Sequence, residues 1–133
     1  MARRKLDPDR RRPTEAESSI LAVLWEHGPS TVRQVHEQLS ARQDVGLTTI
    51  LKLMQIMTEK GLLVRDSSVR PQVFSPAQDQ AEVQTDMVGD LVDRVFGGST
   101  ENLVLRALST RPSTPEEIAA IRRHLDALDG GDR

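Results

Sequence analysis

Apolar residues recur at helical spacing along most of the chain, and the period changes once, between Gly61 and Pro76. The first stripe, Ile20, Leu21, Leu24 and Trp25, follows the run TEAE, in which Thr14 and Glu17 stand at capping-box spacing; Gly28-Pro29 ends that helix. Ser30 or Thr31 starts a second helix with Val32, Val35 and Leu39 inward, fading near Arg42. A short Gly-containing link, Gln43 to Gly46, then leads into GLTTILKLMQIMTEKGLL. On a wheel of about 100° per residue, Ile50, Leu53, Met54 and Met57 form one stripe, and Thr48, Lys52, Gln55 and Glu59 point away from it. The pattern predicts a third helix over 47–60.

After Gly61 the period falls to two. Leu62 to Asp66 and Gln72 to Ser75 read as strands around a polar loop, with Pro76 closing the unit, so a hairpin is predicted over 62–75. Three helices followed by a hairpin is the order of a winged helix, the helix-turn-helix variant in which the hairpin flanks the recognition helix. Beyond it the helical period returns. Residues 78–96 carry Val83, Met87, Val88, Leu91, Val92, Val95 and Phe96, a stripe too wide for a lone surface helix, and Gly97-Gly98 breaks it. Ser99 or Thr100 caps a further helix holding Leu103, Val104, Leu105 and Leu108, and STPEEI opens a last one with Ile118, Ile121, Leu125 and Leu128 inward.

The fold class expected is therefore mainly α with a small β-hairpin: a winged helix-turn-helix domain followed by an α-helical dimerisation module. Residues 1–13, MARRKLDPDRRRP, are predicted to be a flexible basic arm, 14–76 the DNA-binding domain and 77–133 the dimerisation domain. The tail helices have little to pack on within one chain. Met87, Leu91, Val95, Phe96, Leu103, Leu105, Leu108, Ile118, Ile121 and Leu125 are the expected dimer contacts. The 37% hydrophobic share and 2% aromatic content agree, since a small core of this kind is commonly completed by a second subunit.

Charge divides along the same line. Residues 1–76 hold 12 Lys+Arg and 9 Asp+Glu, or +3; residues 77–133 hold 6 and 11, or -5, which together give the net -2. A basic front and an acidic back fit halves that meet different partners. With no cysteine, thiolate metal sites and thiol nucleophiles are excluded. His27, His36 and His124 lack ligand spacing, and no phosphate-binding loop or nucleophile elbow occurs, so neither an enzyme, a metal site nor a cofactor is expected. No apolar run is long enough to span a membrane, and none follows the N-terminal arginines as a signal peptide requires; a cytoplasmic protein is predicted.

Base reading is the chemistry that remains. Thr48, Thr49, Lys52 and Gln55 lie on adjacent turns in the first half of helix three. Thr bonds phosphates or base edges, Gln pairs with adenine N6/N7, and Lys reaches phosphate or guanine. Arg65 and Arg70 on the wing suit phosphate or minor-groove contact, although a solvated surface explains either one as well. Thr31 and Arg33 open helix two, where backbone N–H groups can hold a phosphate; capping alone accounts equally for Ser30 and Thr31. Arg3, Arg4, Lys5, Arg10, Arg11 and Arg12 of the arm are equally read as an electrostatic DNA tracker or as an unbound tail.

These residues bring a resemblance with them. TEAESSILAVLWEHGPSTVRQVHEQLSAR, GLTTILKLMQIMTEKGLL, RPQVFSP and DLVDRVFGGSTENLVLRAL resemble the penicillinase repressor family of BlaI, MecI and CopY type, over about 14–128. The resemblance implies a homodimeric repressor, of antibiotic resistance among other genes, whose two winged helices read a dyad-symmetric operator, with Thr48, Thr49, Lys52 and Gln55 facing the groove. It also implies a membrane metalloprotease sensor that triggers cleavage in the dimerisation region. The equivalent bond is Arg106-Ala107, where staphylococcal members have Asn-Phe. The cysteine pairs of the copper-responsive branch are absent. Ile56 stands where many members carry a basic residue, so the operator is expected to differ from the family's usual one. The alternative class is a winged-helix protein-interaction module without sequence-specific DNA binding, to which the acidic tail and the apolar Leu51 and Ile56 would lend themselves.

Overall fold

The computed structural model describes residues 12–130, so of the expected arm only Arg12 and Pro13 fall within it; Arg3, Arg4, Lys5, Arg10 and Arg11 lie outside the described residues. In chain order the elements are α1 (Glu15–His27), α2 (Val32–Ser40), α3 (Leu47–Glu59), β1 (Leu63–Asp66), β2 (Val73–Pro76), α4 (Gln80–Val95), α5 (Thr100–Ser109) and α6 (Pro115–Gly130). This is the expected class, mainly helical with one antiparallel hairpin. The chain divides into two compact units, the first reaching Met87 and the second starting at Val88.

Local chemistry sets the ends of the first three helices. At α1 the Thr14 hydroxyl accepts from the Glu17 N–H at 3.2 Å and the Glu17 carboxylate accepts from the Thr14 N–H at 2.9 Å. Thr31 and Gln34 repeat the reciprocal pattern at α2. Thr31 is therefore the cap, and Ser30 has a different task. The Ser30 N–H donates to the Phe74 carbonyl at 3.0 Å and the Phe74 N–H donates back at 2.8 Å. One residue of the α1–α2 loop thus pairs with the hairpin and ties the wing to the helical body. At the end of α3, Gly61 takes a φ of +84°, the Leu62 N–H donates to Met57 O at 2.9 Å and the Gly61 N–H to Thr58 O at 3.1 Å. This is a Schellman termination, in which a left-handed glycine lets two orphan carbonyls find donors.

That termination moves the hairpin. Regular pairing runs Leu63 to Pro76, Val64 to Ser75, Arg65 to Phe74 and Asp66 to Val73, so the first strand starts one residue later than the sequence pattern indicates and ends at the same Asp66, while the second lies one residue later at both ends. Leu62 is engaged in closing α3, although its carbonyl still accepts from the Ala77 N–H at 2.9 Å. Pro76 joins at the strand's end, where its missing N–H costs no ladder bond.

Ile20, Leu21 and Leu24 of α1, Val35 and Leu39 of α2, and Ile50, Met54 and Met57 of α3 interlock with Leu62, Leu63 and Phe74 in one buried cluster. Leu53 and Trp25 pack against its margin. The first turns of α4 close the cluster: Val83 is buried in it, Met87 packs on it, and the Trp25 indole N–H donates to the Gln78 carbonyl at 3.4 Å. A buried ion pair spans the base of the unit. The Lys60 ammonium lies 2.6 Å from the Glu17 carboxylate, with Lys60 at 15% and Glu17 at 3% side-chain exposure, and it also donates to the Arg12 carbonyl at 3.3 Å.

The second unit is built differently. Gly97 and Gly98 both take positive φ and turn the chain after α4, Ser99 caps α5 through the Asn102 N–H, and Thr114 accepts from the Glu117 N–H at the start of α6. No described residue of α5 or α6 is buried.

Candidate nucleic-acid interface

Helix α3 presents its polar face because its apolar face is fully used. Ile50, Met54 and Met57 are at most 1% exposed, and the 3.6-residue period then turns Thr48, Thr49, Lys52 and Gln55 outward, where all four are exposed. The helix starts at Gly46 with no side-chain cap, which leaves the hydroxyls of Thr48 and Thr49 free of that duty. The turn before it is held from α2: His36 Nε2 lies 2.9 Å from the Val45 carbonyl, and the Ser40 hydroxyl donates to the His36 carbonyl at 2.7 Å.

Beside this face lies an open cleft of about 520 Å³. Thr31, Arg33, Gln34 and Glu37 of α2 and its cap line one side. Thr48, Leu51 and Gln55 of α3 line another, and Arg65, Arg70 and Gln72 of the hairpin the third, over a floor that includes Val32, Leu47 and Phe74. Six of the eight sequence-predicted reading residues, Thr31, Arg33, Thr48, Gln55, Arg65 and Arg70, thus meet at one depression. Thr49 and Lys52 sit outside it on the same helix. Arg33, Arg65 and Arg70 have no hydrogen bond or ion pair among the described residues, so three guanidinium groups stand ready for an external anion. Glu37 is the carboxylate among the lining residues, against the three arginines.

The wing loop is ordered by its own side chains. The Ser68 N–H and hydroxyl both donate to the Asp66 carboxylate, and these bonds hold its pKa below the ordinary aspartate value. The sequence pattern missed three supports of the interface. Ser30 reads as a capping residue, His36 as a surface residue and Glu17 as a cap alone; Ser30 and Glu17 act through partners remote in sequence and His36 through the Val45 carbonyl across the turn, which no local period encodes.

Of the expected dimer contacts, Met87 packs on the first unit's core. Leu91, Val95, Leu105, Leu108 and Leu125 are exposed, while Phe96, Leu103, Ile118 and Ile121 are half-buried. Arg106 and Ala107 are exposed within α5. No metal-binding cluster of His, Asp and Glu occurs among the described residues, and no described helix is long and apolar enough to cross a membrane.

A helix-turn-helix whose third helix is polar outward, flanked by an arginine-bearing hairpin, defines a winged-helix regulator. The family model described as penicillinase repressor matches residues 13–127, and the chain belongs to that family of transcriptional repressors. A protein named transcriptional regulator BlaI from Mycobacterium tuberculosis is 29% identical over 118 residues, covering 88% of this chain and 85% of its own length. A protein named penicillinase repressor from Bacillus licheniformis is 23% identical over 113 residues, covering 85% of this chain and 88% of its own.

Proposed function

We propose that the protein is a dimeric repressor that binds a dyad-symmetric operator, with α3 in the major groove and the wing on the flanking backbone. The observation that carries this reading is the meeting of Thr31, Arg33, Thr48, Gln55, Arg65 and Arg70 at one cleft, whose three arginines have no partner among the described residues. Thr48, Thr49, Lys52 and Gln55 read bases. Arg65, Arg70, Arg33 and Thr31 fix the register on phosphates, which set position but carry no sequence information.

The dimer reading is supported by the second unit. Leu91, Val95, Leu105, Leu108 and Leu125 are between 39% and 66% exposed, and a helical unit with no buried residue in α5 or α6 lacks a core of its own. Pairing two such surfaces would supply it. A membrane metalloprotease sensor is the proposed source of the inducing signal, with Arg106-Ala107 as the bond cut. That bond lies inside α5, so α5 must unwind before a protease can take it as an extended strand.

A mobility-shift titration against the gene's own upstream region and against random duplex tests the reading. Preference for the upstream region, with log K falling linearly in log salt, is expected. Equal affinity for both duplexes would leave a protein-interaction module as the better description.

A further inference from the structure

Leu51 stands outside the buried cluster that α3 helps to build and is not among the hydrophobic residues packed against it. It is 41% exposed, whereas Ile50 beside it is at 1% and Met54 one turn on is at 0%. It stands three residues after Thr48 and four before Gln55, so the three side chains are neighbours on one helix face, and all line the cleft rimmed by Arg33, Arg65 and Arg70. An apolar side chain between two hydrogen-bonding ones, under a positive rim, faces a partner that is anionic outside and carries an apolar group within. In duplex DNA one base edge has that character: thymine, through its C5-methyl in the major groove.

We propose that Leu51 is a specificity-determining residue, packing on the C5-methyl of one thymine in each half-site while Thr48 and Gln55 make the polar contacts on either side. The inference rests on the DNA-binding reading above. Leucine has no donor or acceptor, so cytosine, which offers an amino group and no methyl at that edge, leaves Leu51 against a polar surface. Thr48 also carries a methyl, and the test must separate the two.

The full-length protein is used to select duplexes from a randomised library, and each thymine in the recovered site is replaced in turn by deoxyuridine, which lacks only the methyl. One thymine per half-site is expected at which the replacement weakens binding about three- to tenfold. In Leu51→Ala the same replacement should change binding less than twofold, while in Thr48→Ser and in Leu51→Met the full effect should persist. Thermal melting checks that Leu51→Ala is folded, and Leu51→Met supports the proposal independently by keeping volume and apolarity. The proposal is overturned if no thymine is sensitive to its methyl, if the sensitivity survives in Leu51→Ala, or if it disappears in Thr48→Ser alone. Failure to recover any preferred duplex overturns the DNA-binding reading and this inference together, whereas a preferred duplex indifferent to deoxyuridine overturns only the role of Leu51.

Discussion

Thr31 and Thr48 both stand at the start of a helix, yet only Thr31 is bound to its own backbone. Its hydroxyl accepts from the Gln34 N–H at 3.1 Å, while α3 begins at Gly46 without a side-chain cap. The two alanine variants should therefore separate cleanly. Thr31→Ala is expected to cost about 1 kcal/mol of stability by urea unfolding, and Thr48→Ala to leave stability nearly unchanged while weakening operator binding. Lys52, exposed on the same face, should on replacement by alanine weaken operator binding by about 1–3 kcal/mol and relax the preference at one base position, as a base contact requires, read by mobility-shift titration. The choice between Ser30 and Thr31 as cap is open in the sequence, because both residue types serve. The reciprocal bonds between Thr31 and Gln34 decide it, and the backbone pairing that gives Ser30 its own task, with Phe74, joins positions far apart in the chain. Glu17 is a similar case. Its spacing from Thr14 announces a cap, but the lysine it also holds is remote in sequence. Removing that lysine leaves a buried carboxylate with one backbone donor, and Lys60→Met is expected to destabilise the unit by about 3 kcal/mol in thermal or urea melts.

Among the elements, the hairpin depends most on contacts that the sequence does not display. Alternation of apolar and polar residues reveals its existence, and the late start of its first strand follows from how α3 terminates at Gly61. Two features then hold it in place. Ser30 bonds it to the α1–α2 loop, so the Ser30 and Phe74 amides should exchange slowly for so short a sheet in hydrogen-exchange measurements. Asp66 orders the loop between the strands through Ser68. Because hydrogen bonding lowers its pKa, its contribution is fully present above the ordinary carboxylate value near 3.8 and is lost as pH falls through the lowered folded value. Ser68→Ala should accordingly raise the Asp66 pKa towards 3.8, read by NMR titration of the side-chain carboxyl. Helix α3 is the most legible element, since a full apolar stripe and a polar opposite face need no remote partner to be seen.

At the scale of the whole molecule, the chain combines a unit with a closed core and a unit in which no described residue is buried. The pattern of the tail helices points to this directly: apolar stripes on three successive helices exceed what those helices can cover for each other. What the pattern does not reveal is that α4 begins inside the first unit, where Val83 completes a core built mostly by residues far earlier in the chain. In sedimentation, the full chain is expected to be a dimer and Leu105→Asp a monomer. The same variant should bind a two-half-site operator at least tenfold more weakly, because the second contact is no longer tethered to the first.

The exposed apolar surface of the second unit has a consequence for how the protein would act as its amount changes. Where assembly and operator occupancy are linked, the concentration of the paired form falls with the square of the monomer concentration once pairing is incomplete. A culture that stopped making this chain would then lose repression faster than growth alone dilutes it. The exposed leucines of α5 and α6 would in that sense set a clock, turning a gradual fall in copy number into an abrupt release of the genes it holds.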